Sequence, residues 1–258
     1  MSGSDQSEKT EVALFVTCLV DINRPSVGFA AVKLLEQAGY EVIVPDAQTC
    51  CGQPAYNSGD RRTAKDIAAN VIRIFKRFRY VVAPSGSCAG MIRKHYPQMF
   101  KDDPLMLLEA ENLASRTFEL TSFLKDISDY VPDDVKLDKK LTYHDSCSSL
   151  REIKVSDQPR ALLRSVEDLD FVEADDREAC CGFGGTFCVK YSEISEEMVD
   201  RKIENILATG ADMLSAGDLG CLMNIAGRLH RKGHRMKVLH IAEILADMAD
   251  RPGIGERR

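Results

Sequence analysis

No apolar run in this 258-residue sequence is long enough to cross a bilayer. The longest, Val12 to Val20, falls well short of the ~20 residues a spanning helix needs. Its flanks are acidic and no basic secretory leader precedes it, so the expectation is a cytoplasmic protein. No large basic block is present either, and a formal net charge of −6 leaves nucleic-acid binding without electrostatic support. A C-x2–4-C knuckle, the usual grip on a structural zinc ion, does not occur. Nine cysteines are too few for a disulfide scaffold and odd in number. In a reducing cytosol such cysteines are more often metal ligands or redox groups. Adjacent cysteines are also awkward bridge partners, because their Cα atoms sit about 3.8 Å apart across a trans peptide. The remaining composition, 44% hydrophobic and 29% charged, describes a soluble folded chain with length for one large or two modest domains.

What the chain does have is an uncommon tripeptide written twice, Cys50-Cys51-Gly52 and Cys180-Cys181-Gly182. Each copy has one cysteine upstream (Cys18, Cys147) and one downstream (Cys88, Cys221). Corresponding cysteines are 129, 130, 130 and 133 residues apart, so one four-cysteine unit occurs twice. Short apolar runs alternate with helical patterns around them. Val12–Val16 reads as a strand delivering Cys18, and Pro25-Ser26 opens a helix that Gly39 stops. Glu41–Val44 is a strand trailing into Cys50 and Cys51. A helix with Ile67, Val71, Ile74 and Phe78 in phase leads to the strand 80–83 and Cys88.

Residues 105–114 and 118–127 read as helices, and Val131–Asp134 as a junction. The second half repeats the order, with strands at 141–143, 169–173, 211–214 and 236–239. Residues 1–10 show no pattern and are expected to be disordered, 11–135 to form a first repeat with a helical extension, and 136–258 a second. The expected fold class is α/β: two tandem pseudo-symmetric repeats, each a small, mainly parallel sheet flanked by helices. All eight repeated cysteines fall just after predicted strands, at the sheet edge where such folds bind ligands.

Four thiolates suit either zinc or an iron–sulfur cluster. Spacing favours the cluster, because an adjacent pair with single cysteines far away matches a polynuclear group better than one ion. Thr49–Gly59, Pro84–Cys88, Tyr143–Cys147, Cys180–Phe187 and Gly220–Asn224 together resemble the cysteine-rich CCG family. That family includes a component of heterodisulfide reductase and the iron–sulfur component of glycolate oxidase. The resemblance runs from about residue 11 to 245 and is strongest toward the family's lactate-utilization members. It implies an iron–sulfur subunit of a cytoplasmic complex oxidising L-lactate, a small 2-hydroxy acid, to pyruvate, with two further proteins as partners, one of them ferredoxin-like. It also implies Cys18, Cys50, Cys51, Cys88, Cys147, Cys180, Cys181 and Cys221 as ligands, with one cluster per repeat. A glycolate or heterodisulfide substrate stays open, as does a structural protein with two zinc sites.

The sequence departs from the fullest family pattern where a fifth cysteine would stand. Ser85 takes that place in the first half and Asp218 in the second, which favours ordinary [4Fe-4S] clusters. Asp218 is expected to be a solvated loop residue rather than an oxygen ligand. Gly52 and Gly182 are expected to allow left-handed turns, and Gly184 and Gly185 to let the backbone approach a cofactor. His144 is read as fixed by loop hydrogen bonds, with proton transfer or a bond to a ligand thiolate as the alternative. Cys188 has no counterpart in the first half and reads as a free thiol. His230 and His234 lie in a cationic helix terminus or a docking patch for an acidic partner.

Overall fold

The computed structural model describes residues 9–256, so the first eight residues of the segment expected to be disordered lie outside it. The fold is α/β in two pseudo-symmetric halves. Strands β1 (Glu11–Leu14), β2 (Glu41–Ile43), β3 (Val81–Ala83) and β4 (Thr117–Glu119) form a sheet in the order β2-β1-β3-β4. Strands β5 (Lys136–His144), β6 (Glu167–Val172), β7 (Met213–Ala216) and β8 (Lys237–His240) repeat it as β6-β5-β7-β8. Every pairing is parallel. Parallel neighbours need crossover helices, which cover the faces of the sheet. The central strands therefore read as unbroken apolar runs, and Val81, Val82 and Ala83 are all fully buried.

The helices are explained by their stripes and caps. The helix Arg61–Phe75 buries Ala64, Ala68, Val71, Ile72 and Phe75, a helical period, and Asp60 caps it by accepting the Thr63 N–H at 3.1 Å. One element differs from expectation. Residues 118–127 read as helix, yet Thr117–Glu119 is strand β4, in register with β3 through Val81↔Thr117 and Ala83↔Glu119. Three residues are too few for alternation to show, and pairing with a buried neighbour decides their conformation.

The halves are packed into one another. The helix Ile241–Leu245 at the end of the second half lies on Pro25–Gln37 of the first, and Leu120–Ser122 lies on Asp157–Leu163. One apolar cluster joins Leu14, Leu34 and Phe123 to Leu141, Leu162 and Ile244. A buried ionic tie crosses the same seam. Arg24 Nε donates to both carboxylate oxygens of Glu243 at 2.9 Å, and Ser26 Oγ donates to it at 2.6 Å. Among the described residues no helix is long and apolar enough to cross a membrane.

Candidate metal centres

In the first half, Cys18 opens the helix Cys18–Asn23, Cys50 and Cys51 sit in the loop after β2, and Cys88 lies on the short helix Gly86–Gly90. Their side chains form one sulfur chain. Cys18 and Cys50 Sγ are 3.6 Å apart, Cys50 touches Cys51, and Cys51 touches Cys88. Gly52 has φ 82°, the left-handed turn expected of it, and this turn aims its N–H at Cys50 Sγ at 3.4 Å. The thiol of Cys50 is pulled down to about 3 by hydrogen bonds from Cys18, Cys51 and the Gly52 N–H. Cys18 is pushed up, first because it donates to Cys50 and then by burial. The loop thus stabilises negative charge on its central sulfur.

The second half repeats this residue by residue. Cys147 heads the π-helical turn Ser148–Glu152, Cys180 and Cys181 follow β6, and Cys221 lies on the helix Leu219–Arg231. Contacts run from Cys147 to Cys180, to Cys181, to Cys221. Gly182, φ 77°, donates to Cys180 Sγ at 3.4 Å, and Cys180 is pulled down to about 2 by Cys147 and Cys181. A Cβ at Gly182 would meet the Ser195 carbonyl oxygen at 2.7 Å, so a side chain is excluded on steric grounds too. Gly184 and Gly185 also have positive φ, 51° and 67°. Cys188 stands apart from the sulfur chain, its thiol directed at the Gly185 carbonyl at 3.6 Å.

Ser85 and Asp218, standing where fifth cysteines would be, meet across the seam between the halves. Ser85 Oγ donates to Asp218 Oδ2 at 3.1 Å, and the Ser87 N–H donates to the same oxygen at 3.0 Å. Each residue also caps the helix carrying its own half's last cysteine. Ser85 Oγ accepts from the Cys88 N–H, and Asp218 Oδ1 accepts from the Gly220 N–H. Asp218 is only 3% exposed, which corrects the expectation of a solvated loop residue. Its oxygens are held by N–H and O–H donors because a buried carboxylate without them would be costly. Nearby Glu119 is also buried, and burial pushes its carboxyl up to about 7 against the donors Thr121 and Ser122.

The expectation for His144 also changes. It ends β5, is 1% exposed, and neither ring nitrogen has a hydrogen-bond partner among the described residues. A ring nitrogen lies with Cys181 Sγ and Cys221 Sγ, all three within 4.8 Å of one another. Burial, reinforced by Lys202, pushes its pKa down to about 3. His144 is therefore a neutral imidazole turned to the second sulfur chain, not one fixed by loop hydrogen bonds.

Several residues around the sulfurs were not singled out in the sequence. The Asn224 side-chain amide donates to the Cys181 carbonyl at 2.8 Å, and Tyr96 Oη donates to the Cys51 carbonyl at 2.9 Å. Arg160 grips Asp145, two residues before Cys147, with Nη1 and Nη2 at 2.9 and 2.7 Å, and its Nε reaches Glu173. Tyr56 Oη lies 3.2 Å from His95 Nδ1, and Glu152 Oε1 lies 3.4 Å from His95 Nε2, a chain of three acid–base groups drawn from both halves. Lys202 is 1% exposed and its Nζ donates to the carbonyls of Asp176 and Arg177, in the loop leading to Cys180. A signal for Lys202 was present, since it sits in the apolar phase of its helix beside Val199, Ile203 and Ile206. The cationic helix end is tied down locally, Arg228 and Lys232 both pairing with Asp200 at 2.7 and 2.9 Å.

Each sulfur chain lines a cavity, about 200 Å³ in the first half and about 260 Å³ in the second. The cavities share walls, because Gln53, Ser87, Phe183, Gly185 and Asp218 border both. Connected thiols, N–H donors aimed at the central sulfur and a buried ammonium on carbonyls fit an anionic, cysteine-ligated group. Zinc and iron–sulfur clusters are groups of this kind.

A family model described as "Cysteine-rich domain" (CCG) matches residues 12–93 and again 141–226. The chain is 48% identical over 236 residues to lactate utilization protein A 2 of Bacillus cereus, covering 92% of this chain and 98% of that protein. It is likewise 48% identical over 235 residues to lactate utilization protein A of Bacillus licheniformis (91% and 98%) and of Halalkalibacterium halodurans (91% and 96%). In fold it is similar to a hypothetical protein from Helicobacter pylori, with a TM-score of 0.61 at 13% identity over 97% of this chain. The chain spans about half, 51%, of that protein's length. With two cysteine-rich domains in sequence and two matching sulfur chains in space, the chain belongs to the CCG cysteine-rich family, among its lactate utilization A proteins.

Proposed function

We propose that this chain is the iron–sulfur subunit of a cytoplasmic complex that oxidises L-lactate to pyruvate, with one [4Fe-4S] cluster on each four-cysteine set. The observation that carries the reading is the duplicated sulfur chain with a backbone N–H on each central thiol. Cys18, Cys50, Cys51 and Cys88 would hold one group, and Cys147, Cys180, Cys181 and Cys221 the other. When bound, such clusters supply one-electron transfer, and a 2-hydroxy acid gives up two electrons on becoming a 2-oxo acid. The chain's own residues hold the frame. The Gly52 and Gly182 N–H groups donate to the central thiols, and Asp218 and Ser85 lock the two downstream cysteine helices to each other. Tyr56, His95 and Glu152 stand ready to move a proton at the mouth of the second cavity. The partners on this reading are the two other lactate-utilization proteins, one ferredoxin-like.

Anaerobically purified protein is expected to be brown, with roughly eight iron and eight acid-labile sulfide per chain for two [4Fe-4S] clusters. Colourless protein with two zinc ions and no sulfide would sink the reading. A strain deleted for the chain is expected to fail on L-lactate and to grow on glycolate, and the reverse result would reassign the substrate.

A further inference from the structure

The two sulfur chains match, but their surroundings do not. The buried positions of the helix Ser192–Ala208 correspond one for one with those of Arg61–Phe75, with Ser195, Val199, Lys202, Ile203 and Ile206 facing in where Ala64, Ala68, Val71, Ile72 and Phe75 do. Lys202 thus stands where the first half has Val71. His144, three residues before Cys147, stands where the first half has Phe15, three before Cys18. Phe15 and Val71 belong to the same buried apolar cluster as Cys51 and Cys88. Cys181 and Cys221 also lie in an apolar cluster, with Val199 and Ile203. Beside it, in place of Val71 and Phe15, stand a buried ammonium and an imidazole without hydrogen-bond partners among the described residues.

Lys202 has no carboxylate at ion-pair distance among the described residues. Its Nζ rests on the Asp176 and Arg177 carbonyls alone, while Asp176 and Asp145 act on it from farther away. The other buried cation near this site, Arg160, is paired with two carboxylates, Asp145 and Glu173, and so adds no net positive charge. Asp218 borders both cavities and does not distinguish them. Burying an ammonium on carbonyls is costly unless an anion lies nearby. Burial works against its charged form, and Asp176, Asp145 and then negative charge at the sulfur site work for it, so an anionic group on those cysteines would add to the support the ammonium has.

We propose that the two sites have unequal reduction potentials, the second-half site being the higher, and that Lys202 is the residue that sets the difference, with His144 acting in the same direction. This rests on the cluster reading above. A fixed positive charge and an N–H donor stabilise the more negative, reduced state of a cysteine-ligated cluster, whereas an apolar wall destabilises it. The second-half site is therefore where an electron comes to rest within this chain, and the first-half site is the one it leaves.

The test is an anaerobic potentiometric titration of the full chain with dithionite, followed by electron paramagnetic resonance. Cys51→Ser and Cys181→Ser assign each signal to its half. The second-half signal is expected at the higher potential. Lys202→Met should move it down toward the first-half signal and leave the latter in place, while Lys202→Arg should keep it high. If Lys202→Met does not fold, His144→Phe carries the same sign. A first-half signal that reduces first, or a second-half signal unmoved by Lys202→Met and His144→Phe, overturns the proposal while leaving both clusters standing. Absence of any cluster signal in the unsubstituted protein overturns the cluster reading itself.

Discussion

Serine at Cys181 is expected to cost the protein about half of its iron, and serine at Cys51 the other half, because each half supplies its own four sulfurs. Both residues are the inner members of their pairs, 2% exposed, and each touches two other cysteines of its own set. Among the described residues no sulfur contact runs from one set to the other, although the cavities share a wall. Iron and sulfide analysis on the two single variants and the double variant separates the possibilities. If either single variant loses all iron, the eight cysteines build one shared centre and the two-site description fails. If neither loses any, these cysteines are not ligands. The common wall also predicts a secondary effect: the site that remains should keep its iron but show a shifted resonance spectrum, since Phe183, Gly185 and Asp218 border both sites.

Arg160→Met should destabilise the fold by about 3–5 kcal/mol, the usual result of stripping one partner from a buried ion pair. The side chains of Arg160 and Asp145 are 4% and 1% exposed, so solvent cannot replace the lost guanidinium. Asp145 would remain as an unpaired carboxylate two residues before Cys147. The second sulfur chain should loosen with it, so iron at the second-half site should fall while the first-half site is kept. Urea denaturation of the variant against the parent measures the loss. The pair Arg160→Met with Asp145→Leu should recover most of it, since the cost arises from the stranded charge rather than from absence of the bond. A loss below about 1 kcal/mol in the single variant would show that the buried pair does not carry the stability assigned to it.

Much of this molecule was legible because its information is local or repeated. Eight cysteines at matching intervals marked two sites before any strand was placed, and Gly52 and Gly182 announced their left-handed turns because no other residue adopts them at so little cost. Strand β4 was hidden, since Thr117–Glu119 has no pattern of its own and takes its conformation from β3. Asp218 and His144 were misread for a related reason. Burial is a property of the whole packing, and neither residue carries a local sign that it will face inward.

By itself the sequence determined the alternation of strand and helix, the duplication, and which thiols belong to which set. These follow from periodicity and spacing along one chain, which need no knowledge of what lies across the molecule. Only the tertiary structure decided that Ser85 meets Asp218, 133 residues away, at the seam between the halves. It alone decided that Lys202 is buried on two carbonyls, and that Lys202 and His144 stand by the second sulfur chain where Val71 and Phe15 stand by the first. The energies of such groups are set by desolvation and by partners brought together in folding, and these exist only once the chain has packed.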